Sequence, residues 1–286
     1  MPSPYLSLGA ILCLGAIPLV ISAATVTPDV SPAKRTPIVA INSVVQQSAR
    51  VTEADRKADS AYDFSETDLD SDGTHKTYDV DMLYGSPYQE LVAIDGKPLS
   101  KDKRQEEDRK LREEISRRGH ESPDERARRI AEYQKEQTRD RHFIQEFVGA
   151  FSFKLKGEEK LDGREVYVVD AVPRRDFHPS DRESTVLTGM RGTLFIDEQT
   201  DQWVKAEAEV THPVSIVGFI ATVEPGTQFI LEKAPLADNI WVPRHFTMTA
   251  KAHILALIPH HKHQDVAYFN YRKANPPNSQ PGTPGS

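Results

Sequence analysis

Residues 192–210 read GTLFIDEQTDQWVKAEAEV, and residues 245–254 read HFTMTAKAHI. In the first stretch Val204, Ala206, Ala208 and Val210 alternate with Lys205, Glu207, Glu209 and Thr211. In the second, Phe246, Met248, Ala250, Ala252 and Ile254 alternate with His245, Thr247, Thr249, Lys251 and His253. A period of two over this length predicts strands with one face buried and one face in water. Between them, Val214–Val223 and Phe229–Leu231 are apolar on both faces, which predicts more central strands. Pro225-Gly226 and the Glu198–Asp201 turn punctuate the series. The whole of 191–258 therefore reads as an antiparallel sheet curved around one apolar face.

Working outward, Phe151–Leu161 and Glu165–Pro173 form a hairpin turned at Asp162-Gly163, because Asp-Gly supplies the positive φ angles of a two-residue turn. Ala61–Asp68 and His75–Tyr84 form another around Asp70–Gly73, and Tyr88–Ile94 adds a strand ending at Asp95-Gly96. Phe177–Thr188 is a polar loop. The last hairpin pairs Phe246–Ile258 with Val266–Arg272 across a tip at Pro259–Gln264. Residues 38–58 read as a helix whose apolar stripe of Ile41, Val44, Val45 and Ala49 lies on the sheet, with Arg50, Glu53, Asp55, Arg56 and Lys57 on the other faces.

Residues 101–141 differ sharply from the rest. They hold 26 charged side chains, 14 basic and 12 acidic, a mixture that favours helix through pairs three and four apart. Gly119-His120 breaks the run, and Ser122-Pro123-Asp124-Glu125 restarts it with an N-cap, a proline at the first position and a capping box. The prediction is a charged helical hairpin inserted at residues 99–142. Its few apolar residues limit it to a narrow contact with the body. Residues 142–150 continue the helix with Phe143, Ile144, Phe147 and Val148.

Residues 1–24 contain no Lys, Arg, Asp or Glu and end in Ser22-Ala23-Ala24, the pattern of a secretory signal peptide. The rival reading is an uncleaved anchor, since the apolar run approaches the roughly 18 residues that span a bilayer. Leu12 before Cys13, the only cysteine, argues against a lipoprotein signal. Residues 25–37 form a proline-rich linker, 38–272 a single domain, and 273–286 a disordered tail of Pro, Gly, Ser and Asn. The chain of 286 residues carries a net charge of −7, which excludes a nucleic-acid partner as the expectation.

Several constellations have the right residue types for chemistry. Asp68–Gly73 matches the first half of a calcium loop, but position 12 is Asp79 rather than Glu and the flanks read as strands; an acidic turn is the plainer reading. His260, His261 and His263 sit in the predicted hairpin tip, where imidazoles bind transition metals, yet a solvated loop explains them as well. Asp176, His178, Asp181 and Ser184 form a hydrolytic set only on paper, without a nucleophile elbow. No phosphate loop or dinucleotide fingerprint occurs. The expectation is a protein without enzyme activity, cofactor or metal.

The aromatics Trp203, Phe219, Phe229, Trp241, Phe246 and Phe269 fall on or beside the strands and read first as sheet core. The alanines among them suggest more: small side chains on a concave face leave volume for a hydrophobic ligand. The predicted cavity is lined by Val204, Ala206, Ala208, Val210, Phe229, Leu231, Phe246, Met248 and Ala250.

The leader, the N-terminal helix, the meander and the block at Gly192–Val210, with Ile196-Asp197 before a turn and a long alternating strand after it, resemble the LolA/LolB-like superfamily of outer-membrane lipoprotein-sorting proteins and related periplasmic sensors. PGTQFIL (residues 225–231) and NIWVPRHFTM (residues 239–248) continue the likeness. The resemblance implies an α+β half-barrel with helices on its concave side, a periplasmic or outer-membrane location, and binding of a lipid or lipidated protein. The alternative is a protein-interaction module without a cavity, whose contact surface is the charged hairpin at residues 101–141.

Overall fold

The computed structural model describes residues 41–274, except 60, 71, 183, 217–220, 237–239 and 255–257. The predicted leader (1–24), the linker (25–37), the start of the first helix, Phe219 and the tail from residue 275 lie outside the described residues. The chain runs α1 (Ile41–Asp59), β1 (Tyr62–Leu69), β2 (His75–Leu83), β3 (Ser86–Ile94), β4 (Lys97–Pro98), α2 (Lys101–Gly119) and α3 (Pro123–Ala150). It continues with β5 (Phe151–Leu161), β6 (Arg164–Pro173), a 3-10 turn (Ser184–Gly189), β7 (Met190–Asp197), β8 (Trp203–Val210), β9 (Val214–Ser215), β10 (Ala221–Val223), β11 (Gln228–Pro235), β12 (Trp241–Ile254) and β13 (Ile258–Lys273).

The strands form one open antiparallel sheet in the order β4-β3-β2-β1-β13-β12-β11-β8-β7-β6-β5, with β9 and β10 branching from β12. It is curved: Phe64 and Val80 of β1 and β2 share a core with Ala171 of β6 and Met190 of β7, far away in the strand order. The architecture is the α+β half-barrel expected from the sequence. The Asp-Gly turns form as their chemistry dictates, with φ of 51° and 69° at Asp95-Gly96 and 51° and 82° at Asp162-Gly163. Asp197 holds the β7–β8 turn, accepting from Gln199 N, Thr200 N and Thr200 Oγ1 at 2.8–3.0 Å and from Arg164 at 3.1 Å. Burial works against the Asp197 carboxylate, but these donors outweigh it and lower its pKa.

Three sequence expectations change. Val214–Val223 is not central: β9 and β10 lie off the main path. The 259–264 segment is not a hairpin tip, because β13 begins at Ile258 and His260, His261 and His263 pair with Ala252, Lys251 and Thr249. Lys273 of β13, expected in the tail, still pairs with Tyr62.

The helices cover the concave face. Val45 of α1 packs on Val169, Leu194, Ile196 and Trp203. The rest of the buried stripe of α1 is polar: Ser48, Thr52 and Asp55. Asp55, expected on a solvent-facing side, is 5% exposed and binds Lys233 Nζ at 2.9 Å and Trp241 N at 3.2 Å. A bulge between Glu232 and Lys233 accompanies the lysine's burial. The capping box at Ser122 and Glu125 is present, and α3 then runs 28 residues without a break. Its apolar end plugs the half-barrel. The Phe147 ring lies 4.7 Å from that of Phe151, 6.1 Å from Phe153 and 5.7 Å from Trp203.

The charged hairpin is docked rather than projecting. Arg118 is buried and donates to Leu83 O (2.7 Å), Ser86 O (2.8 Å), Ser86 Oγ (3.1 Å) and Pro87 O (3.2 Å). Arg129 reaches Ser86 Oγ (2.6 Å) and Tyr84 O (3.1 Å). Gly85, at φ +89°, lies under Ile130, whose Cδ1 would be 3.1 Å from an added Cβ. A glycine there permits both the turn and the close approach of α3.

Candidate functional site

A groove of about 810 Å³ lies between α1 and α3, closed at one end by β2 and by the chain near Ala61 and Ala274. From α1 it takes Gln46, Ala49, Arg50, Glu53, Arg56 and Lys57, positions that step by three and four and so share one helical face. From α3 come Tyr133, Gln134, Gln137, Arg141, Ile144, Gln145 and Val148, again one stripe. Met82 and Gly85 complete the wall. Apolar contact is supplied by Ala49, Met82, Ile144 and Val148. Four cations surround it. Glu53 is the one carboxylate among the described lining residues, 3.5 Å from Lys57 Nζ and 3.6 Å from Arg141 Nε. Such a groove can hold an elongated amphiphile; among the described residues it brings together no nucleophile with a base.

None of the nine residues predicted to line a cavity borders this groove. Val210, Phe229, Phe246, Met248 and Ala250 are buried in the central core, with Ala208 and Leu231 packed against it. Ala208 and Ala250 share that core with Phe143 and Phe147 of α3 and Phe151 and Phe153 of β5. Ala206 packs in the cluster of Val45 and Trp203. Val204 belongs to neither. The register of β7 and β8 shifts between Phe195 and Ile196, so two residues of β8 are crossed where one was expected. Val204 therefore packs with Val166 and Trp241 in a separate cluster. Phe269, expected in the core, is 38% exposed.

The other sequence candidates resolve into structure. Asp72 accepts from Thr74 N at 2.9 Å and Gly73 has φ +82°, an acidic turn. Asp79 faces away from that turn, accepting from Ser65 Oγ at 2.6 Å. Among the described residues no group of three His, Cys, Asp or Glu is arranged to hold a metal ion. Asp176 is tied to Arg174 at 2.8 Å, and Asp181 caps the 3-10 turn by accepting from Ser184 N at 2.7 Å. His142, not His178, meets Asp181, at 3.2 Å. The Asp176, His178, Asp181 and Ser184 set is thus not assembled.

Among the carboxylates that burial raises are Glu66 and Asp68 of β1. Glu66 is buried on the face of β1 that it shares with Phe64, pairs with Tyr268, and accepts from Gln89 Nε2 at 2.5 Å. Burial raises its pKa to about 7. Asp68 is pushed to about 6, by burial first and by Asp70 second. Sequence reasoning gave no sign of Glu66 because its neighbours across the sheet are set by register.

No protein-family model matches the chain, and no curated protein does. Similar solved structures include a DUF1329 family protein from Desulfovibrio piger, 10% identical, covering 80% of this chain and 92% of that one with a TM-score of 0.30. A putative outer membrane lipoprotein-sorting protein domain from Vibrio parahaemolyticus is also 10% identical, covering 80% and 93% with a TM-score of 0.32. The complex of Pseudomonas aeruginosa MucA and MucB is similar at 10% identity, covering 82% and 100% with a TM-score of 0.22.

Proposed function

We propose that the chain is a non-enzymatic envelope protein that takes an acyl chain, of a lipid or of a lipidated protein, into the groove between α1 and α3. The observation that carries the reading is the groove itself. Its volume of about 810 Å³ lies within the roughly 300–1,000 Å³ of small-molecule sites, and its apolar residues come from both helices that wall it and from β2. The leader at residues 1–24 is read as delivering the protein across the inner membrane, to the periplasm or the outer membrane. Binding would come from apolar burial, at about 25 cal/mol per Å² of surface removed from water.

The contact-surface alternative at residues 101–141 has less support. The exposed charges of α2 are largely matched within the helix, as in Arg109–Glu113 at 2.8 Å, Lys110–Glu107 at 2.7 Å and Arg104–Asp108 at 3.2 Å. Such pairs stabilise a helix by tenths of a kcal/mol, about 0.2–0.5 each, and leave little unmatched charge for a partner. Native mass spectrometry of the chain purified from an envelope fraction tests the reading. A co-purifying acyl species, lost in Ile144→Trp or Val148→Trp, is the expected result. A clean apo mass that gains nothing when lipids are added refutes it.

A further inference from the structure

We infer that the groove selects an amphiphile with an anionic headgroup, a phosphate or carboxylate held by Arg50 and Arg141; this rests on reading the groove as an acyl site. The chain as a whole is acidic, with a net charge of −7, yet this one groove gathers Arg50, Arg56, Lys57 and Arg141 against Glu53 among its described residues. The excess runs against the composition of the protein.

The cations differ in what else they do. Arg56 and Lys57 lie in the last turn of α1, where positive charge already complements the helix dipole. Their presence needs no ligand. Arg50 lies in the middle of α1, is exposed, and has neither an ion pair nor a hydrogen-bonded side-chain partner among the described residues. Among the described residues Arg141 approaches only Glu53, at 3.6 Å, beyond hydrogen-bond reach, and the same carboxylate also serves Lys57.

Other arginines of the chain are closed on carboxylates. Arg117 meets Glu114 at 2.6 Å, and Arg244 meets Glu232 at 2.9 Å and Asp162 at 3.0 Å. Arg50 and Arg141 stand on the two helices that wall the groove, beside Ala49 and Ile144. A guanidinium fork suits a carboxylate or phosphate, which it can bind through two parallel N–H donors. Apolar contacts next to the forks then take the chain attached to that headgroup.

The test titrates the purified chain with dodecyl phosphate, with a neutral dodecyl tetraethylene glycol ether, and with inorganic phosphate, the amphiphiles below their micellar concentrations. The expected result is a preference for dodecyl phosphate over the neutral ether on the order of tenfold, the equivalent of one charge-assisted hydrogen bond. That preference disappears in Arg50→Gln/Arg141→Gln while affinity for the neutral ether stays. Equal affinity for the two amphiphiles overturns the headgroup inference and leaves the acyl reading standing. Inorganic phosphate binding as tightly as dodecyl phosphate overturns it in favour of a free anion. Binding of neither amphiphile overturns both readings.

Discussion

Replacing Asp55 by alanine should release α1 from the sheet, and with it one wall of the groove. Both side chains of the Asp55–Lys233 pair are 5% exposed, and Asp55 also accepts from Trp241 N. Asp55→Ala therefore leaves an ammonium in the interior facing no carboxylate from α1, together with a backbone N–H that has lost its acceptor. Breaking one side of a buried pair costs about 3–5 kcal/mol, and an orphaned buried donor about 1–3. The two penalties overlap because local opening admits water to both, so the expectation is about 4 kcal/mol. Against a domain stability of roughly 5–15 kcal/mol this is a large fraction. Lys233→Met should cost nearly as much, since it strands the carboxylate. The double variant Asp55→Leu/Lys233→Met should recover to within about 1 kcal/mol of the parent, because an apolar pair needs no compensation. Urea unfolding of all four proteins, read by the midpoint and slope, compares them. A loss below about 1 kcal/mol for Asp55→Ala, at unchanged slope, would refute the buried anchor.

Arg118→Met should cost about 2–4 kcal/mol, less than the sum of its hydrogen bonds because the carbonyls of Leu83, Ser86 and Pro87 regain water as the hairpin lifts. Hydrogen exchange should then quicken in α2 and at residues 83–87 while β6 to β8 stay protected; uniform exchange would sink the docking argument. Glu66 makes stability depend on pH. Its folded pKa of about 7 lies above 4.5, so the folded state holds the extra proton. Its contribution is complete below pH 4.5 and is lost as pH rises through 7, a total of about 3 kcal/mol. Glu66→Gln should flatten that part of the profile and be the more stable protein at pH 8, with the remaining slope left to Asp68 and to the other carboxylates raised by burial, Asp81 and Glu90 among them. Thermal unfolding across pH 4 to 8 checks this, and a variant less stable at pH 8 contradicts it.

The elements whose signals are local were legible in the sequence. Asp162-Gly163 dictates its own turn, Ser122 and Glu125 cap their own helix, and β12 alternates over its own length. What was not legible depends on a neighbour. The bulge that moves Val204 to another cluster arises from how β8 crosses β7, and nothing within WVKAEAEV marks it. The strand through His260, His261 and His263 lacks apolar alternation there and has a proline at its second position, so only its pairing with β12 reveals it. The buried stripe of α1 reads as surface because Ser48, Thr52 and Asp55 are polar; Lys233, 178 positions away, makes Asp55 an interior residue.

The position of the groove follows from the route of the chain. β4 and β5 are opposite ends of the strand order, and α2 and α3 are all that connects them. At 1.5 Å per residue, the 28 residues of α3 span about 42 Å, enough to cross the mouth of the half-barrel. Along that crossing the helix changes character. Up to Arg141 it is charged and meets the sheet through Arg129 and Ile130 at the β2–β3 turn. From Phe143 it is apolar and enters the core with Phe147 and Ala150. The apolar half shares the core with Ala206 and Ala208 of β8 and Ala250 of β12. The open volume runs along α3 from Tyr133 to Val148, across the change from polar to apolar, opposite a face of α1 that carries Arg50, Arg56 and Lys57. A ligand entering there meets arginines before it meets the sheet, which is why headgroup charge, rather than the sheet alanines, is the expected basis of selection.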